Sequence, residues 1–426
     1  MFKIRIFTIL ALFSTATIFA QKYDLTYFLN QAEKNSATIK ENQNLLKIGD
    51  LQSEIIKAQN SGFLVNATSD VLFAPFFDSN GKAIEVTTTP SSNAYGYDAG
   101  ITNGGLYSAQ INITKNLFNR TSVANLLLQN RVLNNSISLN SEDFRHNLIK
   151  NITDSYIAIY QLQLQRQFQI ATISDFKNRL KVVELLVKKG ILQQSDYLLL
   201  QLDIDTKQIE LQQTSTNLEI SKSQLQTMSG MAKVEINQIE IPSVSALNFL
   251  DKPFIQKKFE NDSLQIMANQ KVFENQYKPQ ISLYGNAGLN AVEITDMYRK
   301  IGASAGVRLS IPIYDGHQRK VNAEQNLLRT ENLSSYKEIS DLQRENNITQ
   351  INTQISENEK ALALLQNQQK KYEQILEIYK GKLVQGQISI VEYLNLMQTY
   401  RMSVYTILQA QTNHWLLQSQ LNYLQW

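Results

Sequence analysis

The residue types that most often carry catalysis or bind metals are scarce in this chain. It contains three histidines, His146, His317 and His414, and no cysteine. The histidines are too far apart in sequence to suggest a metal site or a catalytic triad. Without cysteine, no disulfide, thiolate nucleophile or lipid-anchored cysteine is expected. Phosphate-binding glycine loops, nucleophile elbows and the zinc-protease helix motif are also missing from the sequence, so we expect neither an enzyme nor a metal or cofactor site.

The overall charge gives no reason to expect a nucleic-acid partner. Of 426 residues, 41 are Lys or Arg and 38 are Asp or Glu, which gives a formal net charge of +3. Charged residues make up only 19% of the chain, and acidic pairs such as Asp203 and Asp205 lie in a stretch typical of a solvated helix. The function therefore has to be sought in the elements rather than in a reactive cluster.

Two pairs of long helices are predicted. Residues 121–188 contain neither glycine nor proline, and their apolar residues recur at spacings of three and four, which is typical of a coiled-coil seam. Gly190 interrupts this stretch and a return helix follows, and the C-terminal half repeats the pattern around Gly386. Because glycine readily adopts the left-handed conformation that ends a helix, both are expected to form turns. The sequence thus predicts two antiparallel coiled-coil hairpins, over residues 119–229 and 315–425.

Four segments between the helices alternate polar and apolar residues with a period of two. They cover residues 62–73, 105–118, 280–292 and 301–314. Such alternation is typical of strands with one polar and one apolar face, and about 12 residues are enough to cross a bilayer as a tilted strand. Arg308 falls on the polar face of the last segment, where it can line a lumen or extend toward lipid headgroups.

The two halves of the sequence are copies of one another. A constant offset of 196 positions superposes Gly386 on Gly190, Glu392 on Asp196 and Leu394 on Leu198. The first repeat is predicted over residues 21–229 and the second over residues 254–426, with an irregular equatorial bridge at 230–253. Each repeat is expected to begin with a helix, at 23–60 and at 254–277.

The first 20 residues have the composition of a secretory signal peptide. Lys3 and Arg5 precede an apolar run, and Ala20 is a small residue suited to the position before a cleavage site. The apolar run is too short to span a bilayer as a helix. An exported protein is therefore expected.

Four amphipathic strands are too few to close a barrel, because the smallest transmembrane barrels have about eight. Open strand edges are not tolerated in lipid, since their backbone groups would lack hydrogen-bond partners. The sequence therefore predicts a homo-oligomer in which other copies of the chain complete the barrel.

With these features, the chain resembles the TolC-like outer-membrane efflux protein family over its whole mature length. Two duplicated features carry the resemblance: the strand-to-helix junction at 309–316, and the tip at 384–394 with its counterpart around 188–198. In the tip, a glycine is followed six residues later by an acid and then by an apolar pair. The resemblance implies an α+β membrane protein. It would be a homotrimer with a 12-stranded β-barrel in the lipid of the cell outer membrane, continued by an α-helical tunnel through the periplasm.

The resemblance also implies a function, that of a passive exit duct in a tripartite efflux or secretion system. Such a duct docks a periplasmic adaptor (membrane fusion) protein and an inner-membrane efflux pump or ABC exporter. The cargo stays open, since drugs (multidrug export), metal ions, siderophores or a secreted protein would all suit it. The alternative is a periplasmic adaptor or another coiled-coil envelope-spanning structural protein. An adaptor shares the long hairpins but needs globular β domains, for which the four strands are a poor match.

The same resemblance places the tips of the hairpins at a periplasmic mouth. Glu392 follows Ser389 by three residues, which is the spacing of a capping box. Alternatively, three copies of Glu392 would form an acidic ring that selects cations, and both interpretations stay open. A second acid often follows three residues later in the family, where this chain has Asn395, so the ring would be weaker here. Asp196 is expected to support the closed mouth. The residues expected at the tip turns and in adaptor docking are Gly190, Gly386, Ser389, Leu394 and Leu198.

Overall fold

The computed structural model describes residues 23–73, 75–85, 91–95, 107–232, 234–244, 253–291 and 294–426. The predicted signal peptide, residues 1–20, lies outside these ranges, as do parts of the first inter-strand loop and of the predicted bridge.

Most of the described chain is α-helical. The helices are α1 (Leu25–Asn35), α2 (Ala37–Ser61), α3 (Arg120–Lys188), α4 (Gln194–Met228), α5 (Phe254–Asn275), α6 (Gln318–Val384) and α7 (Ile390–Gln425). The two longest, α3 and α6, have 69 and 67 residues. Leu, Gln, Glu and Lys are good helix formers, and proline is not present in either helix, so the backbone hydrogen bonding continues without a break.

The helix predicted over residues 23–60 is divided into two in the structure, which corrects the prediction. α1 begins after Asp24, whose carboxylate accepts a hydrogen bond from the amide of Tyr27 at 2.7 Å. Ser36 then leaves the helical conformation, with φ −63° and ψ 119°. Asn35 and Ser36 have short polar side chains that favour helix ends over helix interiors, so the interruption falls at two of the weaker helix formers.

Four strands form one antiparallel sheet. They are β1 (Leu64–Val71), β4 (Tyr107–Leu117), β5 (Gln280–Ala291) and β6 (Ile301–Ser310), in the order β1-β4-β5-β6. All four come from the stretches with period-two alternation. A short 3-10 helix (Ile294–Arg299) connects β5 to β6.

The pairing register separates the two faces of this sheet. Asn112 on β4 lies opposite Asn66 on β1 and Asn286 on β5, and Asn286 lies opposite Ser304 on β6. Side chains on a strand alternate between faces, so the even-numbered residues of all four strands share one face. This polar face carries its own hydrogen bonds, from Asn112 to Thr68 and from Ser304 to Asn286, both at 2.8 Å. The odd-numbered face is mainly Val, Ile, Leu and Ala.

The loop between β1 and β4 contains a hairpin that the sequence interpretation did not include. β2 (Phe76–Ser79) pairs with β3 (Lys82–Glu85). Asn80 and Gly81 form the turn with positive φ angles of 50° and 74°, which is the combination that a tight hairpin turn requires.

The junction between strand β6 and helix α6 contains a capping residue, Asp315. The Asp315 carboxylate accepts hydrogen bonds from the amides of His317 and Arg319, both at 2.9 Å. The bond from Arg319 is the main cause that lowers the pKa of Asp315, so the carboxylate stays charged and caps the start of α6.

Contacts divide the described chain into two compact units. The sheet unit is drawn from residues 37–144 and 250–346, and the tip unit from residues 1–36, 145–249 and 347–426. Each unit therefore combines segments from both halves of the sequence.

The tip unit has an apolar core where α1, α3 and α4 meet. Phe28, Tyr156 and Leu225 are fully buried there. The Tyr156 hydroxyl donates to the backbone oxygen of Glu240 at 2.7 Å. Gln163 exchanges two hydrogen bonds with the backbone of Ile239, at 3.0 and 3.1 Å. The described part of the predicted bridge is thus fixed to α3, although it has no regular secondary structure.

Candidate functional site

Gly190 and Gly386 end the two longest helices in the left-handed conformation, with φ of 73° and 69°. In each turn a residue beyond the helix donates back across the last turn: Ile191 to the oxygen of Leu186 and Gln387 to the oxygen of Lys382, both at 2.9 Å. These bonds satisfy helix carbonyls that would otherwise lack partners. The two turns also touch, because a Cβ added to Gly386 would lie 3.0 Å from Cγ2 of Ile191.

The acids that follow these turns cap the return helices. Glu392 accepts from the amide of Ser389 at 3.1 Å, and the Ser389 hydroxyl accepts from the amide of Glu392 at 3.2 Å. Asp196 accepts from the amide of Gln193 at 2.9 Å. Both carboxylates therefore occupy the first turn of a helix, where the helix dipole stabilises negative charge. Glu392 and Asn395 are exposed, whereas Asp196 is half-buried.

A buried apolar cluster holds the ends of the four long helices together at the tip. Its buried members are Phe176, Val183, Leu200, Ile204, Leu383, Ile390, Tyr393 and Met397. Leu394 packs against the edge of this cluster, while Leu198 is 49% exposed. The cluster draws equally on both hairpins, so the two tips form one packed body.

Tyr393 is completely buried in this cluster with a charged neighbour above its ring. The guanidinium carbon of Arg179 lies 4.7 Å from the centre of the ring. Arg179 also binds both carboxylate oxygens of Asp175, at 2.7 and 3.0 Å. Burial is the main cause that raises the pKa of Tyr393, and Arg179 opposes it. The hydroxyl therefore stays neutral. Asp175 and Arg179 were not singled out from the sequence, although their spacing of four is a familiar helix pair.

Two buried cations and a partly exposed acid, Glu210, whose side chain is 36% exposed, join the return helices α4 and α7. Arg401 donates to Glu210 at 2.9 Å, and Lys207 donates to the same carboxylate at 2.5 Å. Only 4% of the Arg401 side chain and 7% of the Lys207 side chain are exposed. Gln398 accepts a further bond from Arg401 at 3.2 Å. Because the two buried cations share one acid, this contact depends on Glu210 more than on any other residue.

In the sheet unit, Arg308 lies on the polar face. Its guanidinium carbon is 5.4 Å from the centre of the Tyr284 ring. Lys115 lies on the opposite face, with its ammonium 4.4 Å above the ring of Phe63. The register therefore assigns the two cations at this end of the sheet to different faces.

The histidines make separate local contacts. His146 stacks on Tyr423 and Trp426, and His317 follows the Asp315 cap. Within the described ranges, no three His, Asp or Glu side chains are grouped so that they could hold a metal ion. The described helices also include none that is long and apolar enough to cross a membrane.

Comparison with solved structures shows which known proteins share this fold. No protein-family model matches the sequence, and no curated protein matches it significantly. The structure, however, is similar to that of CusC, described as forming a transmembrane channel, with a TM-score of 0.75, 12% identity and coverage of 95% of this chain and 92% of that one. The chain has the fold of the outer-membrane channels. The TolC-like fold expected from the sequence is thereby confirmed.

Two further channel-fold structures show how complete the likeness is. The outer membrane protein VceC from Vibrio cholerae matches with a TM-score of 0.72 and 13% identity over 94% of this chain and 96% of that one. The open-state outer membrane channel MtrE from Neisseria gonorrhoeae matches with a TM-score of 0.67 and 14% identity, over 94% and 88% of the two chains. The channel fold therefore accounts for nearly the whole chain, and none of these matches supports the adaptor alternative.

Proposed function

We propose that this protein is the outer-membrane exit duct of a tripartite efflux or secretion system. Three copies would close a 12-stranded β-barrel, which an α-helical tunnel would continue through the periplasm. The duct would be passive and would catalyse no reaction, since energy would come from an inner-membrane efflux pump or ABC exporter. The observation that carries the proposal is the sheet, with one polar face, one apolar face and two open edges.

The faces of the sheet suit a barrel wall. Ile113, Val307 and Leu309 are among the exposed side chains of the apolar face, which in water would be an unfavourable arrangement. Against lipid the same face is stabilised, while the amides and hydroxyls of the polar face would line a wet lumen.

The edges of the sheet argue for further copies of the chain. In the described residues, β1 and β6 each pair with one neighbouring strand only. Backbone groups on such edges must be paired within a bilayer. Pairing of β6 in one copy with β1 in the next would remove both edges, and three copies of four strands give 12.

The tips suit the proposed periplasmic mouth and the docking of an adaptor. Apolar side chains are exposed on both sides of the glycine turns: Ile191, Leu198, Val384 and Val391 are 46–55% exposed. Together with Gly190, Gly386 and Ser389 they would form the docking surface, and Glu392 would lie at the opening.

The native mass of the protein tests this proposal. We expect a complex of three chains when the outer-membrane fraction is extracted with mild detergent, and its dissociation to single chains on heating. The same complex, reconstituted in a planar bilayer, should give discrete conductance steps. A soluble periplasmic monomer that gives no conductance would contradict the proposal.

A further inference from the structure

We infer that Arg308 makes the helix-side end of the barrel lumen selective for anionic solutes. This inference rests on the proposed function, because it requires copies of the chain to surround a pore. It adds a specificity-determining residue, distinct from the acid at the mouth, and a charge class of solute that this residue favours.

The first step is that Arg308 dominates the charge of the polar face near the helices. On the even-numbered positions of β1, β4, β5 and β6, the charged residues are Asp70 and Arg308. Arg308 lies opposite Ser282, whereas Asp70 lies level with Asn290, eight residues further along β5. At about 3.4 Å per residue the two levels are roughly 27 Å apart. This is more than three Debye lengths in physiological salt, so Asp70 does not neutralise Arg308.

The second step is that the guanidinium is held on this face without losing its charge. Tyr284 lies directly opposite Gly306, and a Cβ on Gly306 would come within 2.6 Å of the tyrosine hydroxyl. The ring therefore lies across β6 over the missing side chain. From there it contacts Arg308, 5.4 Å from the ring centre. A cation–π contact orients a guanidinium but leaves its net charge in place.

The third step is that the electrostatic potential of Arg308 is felt at the axis of the proposed pore. A barrel of 12 strands, spaced by about 4.8 Å and tilted by about 40°, has a backbone diameter of about 24 Å. Arginine side chains about 6 Å long would place three guanidinium groups about 6 Å from the axis, which is within the Debye length of about 8 Å. Coulomb's law in water with this screening gives a roughly fivefold local enrichment of monovalent anions and a depletion of monovalent cations by about the same factor. Solutes that carry a carboxylate, phosphate or sulfonate group would be favoured in the same way.

The test is the reversal potential of reconstituted channels under a potassium chloride gradient. We expect Arg308→Gln to lower the chloride-to-potassium permeability ratio by about 25-fold at most, since chloride is enriched and potassium depleted by about the same factor. Arg308→Lys should retain most of the original ratio. Lys115→Gln is the matched control. It removes the same charge one level away on the opposite, apolar face, where its partner is Leu283, and it should leave the ratio unchanged.

The outcomes separate the inference from the proposed function. Channels of normal conductance with the same ratio in the original protein and in Arg308→Gln would overturn the selectivity role and leave the duct intact. An equal change of the permeability ratio in Lys115→Gln would also overturn the selectivity role. The change would then follow from the total charge of the protein rather than from a charge in the lumen. A protein that forms no channels at all would overturn the duct, and the lumen with it.

Discussion

At the scale of single residues, Glu392 combines a structural contact with an exposed charge. Its carboxylate caps α7 through the amide of Ser389, yet the side chain remains exposed. Glutamine serves as well as glutamate in a capping box. A substitution that keeps the cap and removes the charge therefore separates the two interpretations that the sequence left open.

We expect Glu392→Gln to weaken the block of reconstituted channels by multivalent cations, while the thermal unfolding midpoint changes little. The physical reason is that an acidic ring attracts cations through its charge, whereas the cap needs only an acceptor oxygen. Asp196→Asn is the matched control in the equivalent turn, and it should leave the block unchanged. If Glu392→Gln is blocked as strongly as the original protein, Glu392 is a capping residue and no more.

The two glycine turns offer a second comparison between equivalent positions. Alanine at either position costs about 1–2 kcal/mol, because both backbones are left-handed. Gly386→Ala should cost more than Gly190→Ala, since only Gly386 has a neighbour within 4 Å of the added methyl group, Cγ2 of Ile191. Thermal unfolding followed by circular dichroism measures both. Equal shifts of the midpoint would show that the two turns do not touch.

At the scale of elements, the contact between α4 and α7 depends on a shared acid. We expect Glu210→Gln to lower the free energy of unfolding by about 2–3 kcal/mol, because it leaves Arg401 and Lys207 buried without a counter-charge. Urea unfolding of the detergent-solubilised protein measures this loss. Glu357→Gln is the control: its partner Lys360 is at 2.7 Å, but both side chains are about two-thirds exposed, so we expect a loss below about 0.5 kcal/mol. Similar losses of unfolding free energy in the two variants would show that burial of the cations does not strengthen their contact with Glu210.

The elements differ in how well the sequence alone predicts them. Period-two alternation predicted strands where β1, β4, β5 and β6 occur, because one face of each strand is mainly polar and the other mainly apolar. The Ser389–Glu392 cap was also predictable, since the residues are neighbours in sequence. The β2–β3 hairpin was missed, although Asn80-Gly81 is a strong turn signal. The break at Ser36 was missed because the apolar spacing on either side does not mark it.

The contacts that join distant elements could not be predicted in this way. Arg401 and Glu210 are 191 positions apart, and each belongs to a helix that is rich in polar residues. Nothing in the local sequence distinguishes them from solvated charges. Arg308 was placed on the polar face by alternation, but its contact with Tyr284 depends on the register of β5 against β6, which the sequence does not specify.

At the scale of the whole molecule, the duplicated sequence does not produce two independent halves. The sheet unit and the tip unit each take segments from both repeats. The repeat pattern therefore predicted the order of the elements but not how they group. Each repeat supplies only two strands of the sheet, and their outer edges stay open. The strands of one repeat therefore need those of the other before the sheet is formed.

The pairing of β4 with β5 has a consequence for how the protein matures. Tyr107 on β4 lies opposite Ala291 on β5, so the middle of the sheet joins the two halves of the chain. In a chain that emerges into a new compartment with its N-terminus first, the edge of β4 that faces β5 stays unpaired until β5 follows, and pairing across so long a separation is slow. During that interval β1 and β4 expose an apolar face and an open edge, which is the condition under which chains aggregate. The first half of the chain therefore needs a chaperone that prevents aggregation after it is delivered. This need ends when the second half arrives and β5 pairs with β4.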